Sequence, residues 1–390
     1  MTTEESFLLR VLADYLNRRK TENIPDGLDW DTLADLALRH QVSGMVYYQC
    51  KELLPADKRA PLKQAYFFAV MVHTNRTQNM AEIGGAFEKA DIPFFTVKGL
   101  DVAALYPTPA LRTMGDCDII VHPEDKERAH QVLLSLGFTP GGERQDMEWH
   151  YHKNGLDFEL HDHLLYDETV NSQVSKDFTG LAWDYAKGEG CRKELDRGFH
   201  FIFLLLHLKK HLLNSGVGFR QFMDLVVAAR GWQMDAASLE TRLQQLQLQD
   251  FRKVCFALCN QWFDAQLQPA AGLMPEFIEQ ATEKIFANGI FGFNDASNRA
   301  NGNLNTLHEK GKLRTVIGRI FPSYRGVYYV PHYSFVRGRP WLLPAVWVYR
   351  WFRGIFKGKG KDAVRLLSSA VQSDEQLEDR QKTLSQWGLW

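Results

Sequence analysis

Cysteine offers this chain no framework. Its five cysteines, Cys50, Cys117, Cys191, Cys255 and Cys259, are odd in number, scattered, and lack paired C-x-x-C spacing. That excludes a disulfide scaffold or a zinc cage as the organising element and fits a reducing, cytoplasmic setting. Charge of one sign is missing as well. Forty-six Lys plus Arg against forty-seven Asp plus Glu leave a formal net charge of -1. Such a chain has no global field for holding nucleic acid, so nucleic acid is not the expected partner and any phosphate site must be local. Long apolar runs are absent: nothing approaches the roughly 18 uninterrupted apolar residues of a spanning helix. The stretch MTTEESFLLRVLADYLNRRK opens with acidic residues and has no long apolar core of the kind a signal peptide carries. No fixed-period repeat or low-complexity tract interrupts the 390 residues.

That length is enough for two or three packed units. Apolar residues at helical spacing, such as Phe7, Leu8, Val11, Leu12 and Tyr15, run from Glu5 to about Lys89. Near Ile92 the texture changes to IPFFTVKG, a short apolar run ended by glycine, as in a buried strand. A second strand, CDIIV (117–121), precedes the amphipathic PEDKERAHQVLLSLGF, which has proline near its start and glycine near its end. EWHYHKN and LDFELHDHL flank Asn154-Gly155, a strong hairpin signal. After Asp196, FHFIFLLLHLKKHLL, RQFMDLVVAARGW, ASLETRLQQLQLQ and DFRKVCFALCNQWF return to helical patterning. The expectation is an α+β fold: a small mixed β-sheet core flanked by N-terminal and C-terminal helical regions. The divisions are 1–90 (helical), 91–190 (α/β core), 191–310 (helical) and 311–390 (aromatic and basic). Within the last, residues 340–361 combine Trp, Leu and Phe with cations, a pattern suited to peripheral membrane contact or to a core-packed helix with a basic end.

Side chains two apart on a strand share a face, so Asp116 and Asp118 present two carboxylates to one spot. Unpaired they would repel, and a divalent cation is the ordinary way to keep both ionised. Glu159 on a neighbouring strand is the expected third acid, with Asp157 or Asp162 as alternatives; Asp157 and His161 would share its face. Three convergent acids can hold two metal ions roughly 3.5–4 Å apart, and Glu159 could also accept a hydroxyl proton. Lys98 and Arg112 are the nearest cations for phosphate, and Gly99 would let backbone amides approach it. His207 and His211, four apart on a helix, have zinc-compatible spacing but no third ligand, so they read as core or capping histidines. Lys210 reads either as a solvated lysine or as a cation reaching the triphosphate. Arg220 and Asp224, also four apart, read as an ordinary surface pair worth roughly 0.2–0.5 kcal/mol.

VKGLDVAALYPTPALRTMGDCDIIVHPEDKERAHQVLLSLGF followed by FELH resembles uncharacterised nucleotidyltransferases of the polymerase-β-like superfamily often found in bacterial polysaccharide gene clusters. Lys98, Gly99, Leu105, Tyr106, Arg112, Asp116, Asp118, Glu159 and His161 match that pattern in order. HLKKH and FRQFMDL extend the resemblance weakly to Lys210, His211, Arg220 and Asp224, so that it covers about residues 90–230. The superfamily's Gly-Ser turn is replaced by Gly99-Leu100, leaving the serine's phosphate-gripping role to Lys98 or Arg112. The resemblance implies transfer of a nucleoside monophosphate from an NTP to a hydroxyl-bearing acceptor with Mg²⁺ or Mn²⁺. Asp116, Asp118 and Glu159 would hold metal, Lys98, Gly99, Arg112 and Lys210 phosphate, and His161, Arg220 and Asp224 would support them. A nucleotide-binding scaffold without turnover and a toxin-like transferase acting on tRNA or protein are the competing readings.

Overall fold

The structure, a computed structural model, describes residues 1–141, 148–164, 173–214, 216–289, 324, 335–336, 338–356 and 382–389. Helix α1 (Thr3–Leu16) starts from a capping box in which Thr2 and Glu5 each accept the other's backbone N–H. It is followed by α2 (Trp30–Arg39), α3 (Ser43–Cys50) and the 31-residue α4 (Arg59–Lys89). Helix therefore ends at Lys89, where the periodicity predicts.

The sheet follows. Strand β1 (Phe94–Val97), the short helix α5 (Gly99–Ala103), β2 (Asp118–Val121), α6 (Lys126–Ser135), β3 (Thr139–Pro140), β4 (Glu148–Lys153) and β5 (Leu156–His161) come in that chain order. Their order in space is β1-β2-β5-β4-β3, with β2 and β5 parallel and every other neighbouring pair antiparallel. The hairpin lies where Asn154-Gly155 predicts it. Both turn residues have positive φ, 54° and 73°, the twist that a two-residue connection between antiparallel strands demands.

Strand alternation sorts the sheet's two faces. Phe94, Ile119, Val121, Phe158 and Leu160 pack with Ile83 and Phe87 of α4 and Ala129 and Leu133 of α6. Phe95, Val97 and Ile120 face the other way, onto Phe199 and Phe203 of α8 (Arg197–Asn214). Full burial of each such side chain contributes roughly 1.5–3 kcal/mol. The alternation that buries Ile119 and Leu160 on the α6 side turns Asp118, Glu159 and His161 toward α8.

Between β5 and α8 lie α7 (Gln173–Gly180) and the short pair β6 (Ala186–Lys187) and β7 (Glu194–Leu195). Beyond α8 come α9 (Phe219–Gly231), α10 (Ala236–Gln245), α11 (Gln249–Phe263) and α12 (Pro275–Asn288). Helices α1, α2 and α3 share one apolar core with α8 to α12, uniting Leu8, Leu12 and Val46 with Leu205, Phe222, Cys259 and Ile285. Residues 382–389 return to this core. Trp387 is buried there, its ring centroid 5.4 Å from Phe277 and 6.4 Å from Phe222.

Helix α13 (Leu343–Phe356) falls in the segment matched to a membrane surface or a basic-ended core helix. Val346 packs against Val336, whereas Trp341, Val348 and Tyr349 are exposed. Residues 357–361 of that segment lie outside the described residues. Among the described residues no helix is long and apolar enough to cross a membrane.

Candidate active site

The parallel pairing of β2 with β5 sets Asp118 opposite Glu159, and Ile120 opposite His161. Asp157 lies at the far end of β5, exposed and hydrogen-bonded to His152, and Asp162 is held by Lys126 at 3.0 Å. Glu159 is thus the acid that faces Asp118. His161 Nε2 stands 3.3 Å from Asp118 Oδ1 and 3.2 Å from Glu159 Oε2, while His150 Nδ1 reaches Glu159 Oε1 at 3.2 Å from β4. Asp118, Glu159 and His161 each offer a ligand atom within 4.8 Å of the others. Asp116 is outside that set. It sits half-buried just before β2 and lines, with Asp118, two adjoining hollows of about 140 and 190 Å³.

Lys98 follows β1 in a conformation rare for any residue with a side chain, φ 55° and ψ -120°, at a cost on the order of 1–3 kcal/mol. Packing holds it there. The Lys98 amide donates to Nε2 of His200 on α8 at 2.9 Å. Burial drives the His200 pKa down to about 3, so its ring is a neutral acceptor. The strained turn presents Lys98 Nζ 2.9 Å from Asp118 Oδ2 and 3.0 Å from His207 Nε2. His207 stacks on His211 with ring centroids 4.4 Å apart, and both line the two hollows.

The surface pair expected of Arg220 and Asp224 is not what forms. Asp224 is buried and belongs to Arg112, which grips it with Nε at 2.7 Å and Nη2 at 2.8 Å, while the Tyr106 hydroxyl donates to it at 2.7 Å. Helix α9 turns Asp224 inward, where it meets the buried guanidinium of Arg112, a cation that needs a counter-charge. Arg112 Nη1 donates to the Gly99 carbonyl at 3.1 Å, so its donors brace the strained turn and its carboxylate partner. Arg220 instead donates Nη1 to the Thr113 carbonyl and lines the smaller hollow. Arg76 of α4, which no sequence pattern singles out, is buried and donates to the carbonyls of Met114 and Gly115 at 2.7 Å each. The loop leading into Asp116 is therefore clamped from α4 and α9 together. Lys210 lines the larger hollow and makes no hydrogen bond or ion pair with the described residues.

Burial opposes ionisation of Asp118, yet Lys98 and His161 hold its carboxyl well below the usual range. Burial likewise works against a charged His161, but its bonds to Asp118 and Glu159 raise its pKa to about 9. Asp116 is compensated only in part, by Lys98 and Arg220 at a distance. Burial and then the charge of Asp118 push its pKa up, and it has no hydrogen bond or ion pair among the described residues. A half-buried carboxylate with no directly bonded cation, beside the carboxylates of Asp118 and Glu159, offers oxygen donors that fit a hard divalent cation.

Residues 26–264, more than half of the chain, match the family described as uncharacterised nucleotidyltransferase, and the chain belongs to that family. The match extends beyond both ends of the motifs near residues 90–230. No curated protein and no solved structure matches the chain.

Proposed function

We propose that the chain transfers a nucleoside monophosphate from an NTP to a hydroxyl-bearing acceptor, a sugar, glycan intermediate, metabolite or protein, using Mg²⁺ or Mn²⁺. The observation that carries this reading is the register of β2 and β5, which sets Asp118 against Glu159 beneath His161 and Lys98. Membership of the nucleotidyltransferase family supports it. Asp116, Asp118 and Glu159 would hold the metal. When bound, the ion would lower the pKa of the attacking hydroxyl and offset charge on the phosphates.

The chain's own groups do the rest. Glu159, bridged by His150 and His161, accepts the proton of the acceptor hydroxyl. The hydroxyl oxygen bonds to the α-phosphorus as the bond from that phosphorus to the bridging β-oxygen breaks, and pyrophosphate leaves with the electron pair. Lys98 orients the phosphates. His200 and Arg112 keep its turn in the strained form that points Nζ at Asp118.

Calorimetry with Mg²⁺ and each NTP tests the site, and incubation with α-labelled NTP and fractionated cell extract tests the transfer. Binding is expected to vanish in Asp116→Ala/Asp118→Ala, and label to appear on an acceptor with stoichiometric pyrophosphate. Nucleotide binding unchanged in that variant, or label that never leaves the nucleotide, counts against the proposal.

A further inference from the structure

The two hollows share a wall of Lys98, Asp116, Asp118, His207 and His211 but differ in character. The outer one holds the acids, Glu148 and Glu159 among them. The inner one is bounded by Arg112, Arg220, Gln221 and Asp224. Three cations reach the inner hollow, and two are matched: Lys98 by Asp118 at 2.9 Å and Arg112 by Asp224 at 2.7 Å. Arg220 has no carboxylate within ion-pair distance among the described residues. Its Nη1 donates to the Thr113 carbonyl, and its Nε is sealed from solvent with no acceptor. Burial and the neighbouring charge of Arg112 pull its pKa down. The two histidines in the wall supply no further positive charge, because burial and then Lys98 hold both of them neutral.

Arg220 and Asp116 line one cavity and feel each other's charge, yet neither has a carboxylate or cation in direct ion-pair contact among the described residues. A buried charge with no directly bonded counter-ion is costly unless a ligand completes it. A single kind of ligand satisfies both, a polyanion that carries a divalent cation. Arg220 and Gln221 lie in the first turn of α9, so the positive end of that helix dipole favours the same anion.

The geometry points to Arg220 as the receptor for the β- and γ-phosphates of the nucleotide, which makes the inner hollow a pyrophosphate subsite. This rests on the nucleotidyl-transfer reading for the identity of the ligand. Arg112, spent on Asp224 and Gly99, positions the turn, while Arg220 grips the phosphates. The chain therefore selects triphosphates over monophosphates through α9 and leaves the acid face to the reacting centre.

The test is binding of inorganic pyrophosphate to the full chain, with and without Mg²⁺, by calorimetry. The wild type is expected to bind pyrophosphate at least 10-fold more tightly than orthophosphate or an NMP. Arg220→Gln should lose 10-fold or more of pyrophosphate affinity with NMP affinity unchanged, and Arg220→Lys should retain part of it. Lys253→Met, at an exposed lysine that lines neither hollow, should bind pyrophosphate as the wild type does. Should Arg220→Gln fold poorly, Arg220→Lys against Lys253→Met carries the comparison, with thermal unfolding as the control. Unchanged pyrophosphate affinity in Arg220→Lys and Arg220→Gln, an equal loss in Lys253→Met, or no binding by the wild type overturns the assignment. Arg220-dependent pyrophosphate binding in a chain that never transfers label would sink the transfer reading and keep this one.

Discussion

Asp224→Asn should be among the most damaging single-atom changes in the molecule. Asp224 accepts three hydrogen bonds of 2.7–2.8 Å, two from Arg112 and one from Tyr106. The side chains of Arg112 and Asp224 are only 4% and 8% exposed. Water cannot replace the lost charge there, and Arg220 approaches the same pocket as a second cation. Breaking a buried pair from one side costs about 3–5 kcal/mol, because the remaining charge stays desolvated. The amide of asparagine still accepts one bond, which places Asp224→Asn near the lower end and Asp224→Ala near the upper. Urea titration followed by far-ultraviolet circular dichroism would read this as a fall in the midpoint of the first transition. The double variant Arg112→Met/Asp224→Leu removes both charges, so it should be less destabilised than either single variant. A loss under about 1 kcal/mol in Asp224→Asn, or a double variant as unstable as the sum of the singles, would refute the view that charge compensation holds this site.

Removing the acceptor of the Lys98 amide with His200→Phe should cost about 1–3 kcal/mol, since the N–H is left buried and unpaired, and His200→Gln should recover part of it in the same titration. His40 is fully buried between the rings of Phe219 and Phe286, and burial lowers its pKa from 6.5 to about 4. The unfolded chain takes up this proton first, so the stability present above pH 6.5 is lost as pH falls through 4, by about 3 kcal/mol. His40→Leu should flatten that part of the stability–pH curve, and an unchanged curve would discard the assignment. Trp387→Ala should cost about 3–5 kcal/mol by emptying its slot. Gly388→Ala should release the same segment to proteolysis, because its φ is +68° and an added Cβ would lie 2.5 Å from the Asp250 carbonyl carbon.

Local chemistry made part of this molecule legible. Asn154-Gly155 announced the hairpin because few residue pairs take positive φ twice, and the run from Cys117 to Val121 announced a strand through its apolar, β-branched texture. Alternation put Glu159 and His161 on one face. The candidate acids could be named for the same reason: a D-x-D at a strand start and an acid on a second strand are statements about period two. Arg76 had no such signal. It is one more cation on a long helix until α4 is packed beside the loop at 114–115. His200 looked like part of an apolar helix face, and nothing near it in the chain indicates that its acceptor role lies with Lys98.

By itself, then, the sequence indicated the four longer strands and the main helical regions, which residues share a face, and that two aspartates and a glutamate stand at strand positions able to converge; the short β3, β6 and β7 carried no such signal. The tertiary structure decided who compensates whom. It gave Asp224 to Arg112 instead of to Arg220, set Glu159 and not Asp157 opposite Asp118, and returned Trp387 to the core of α9 and α12. The division is physical: periodicity follows from backbone geometry that each residue carries with it. The partner of a buried charge is chosen only when segments distant in the chain pack together and exclude water.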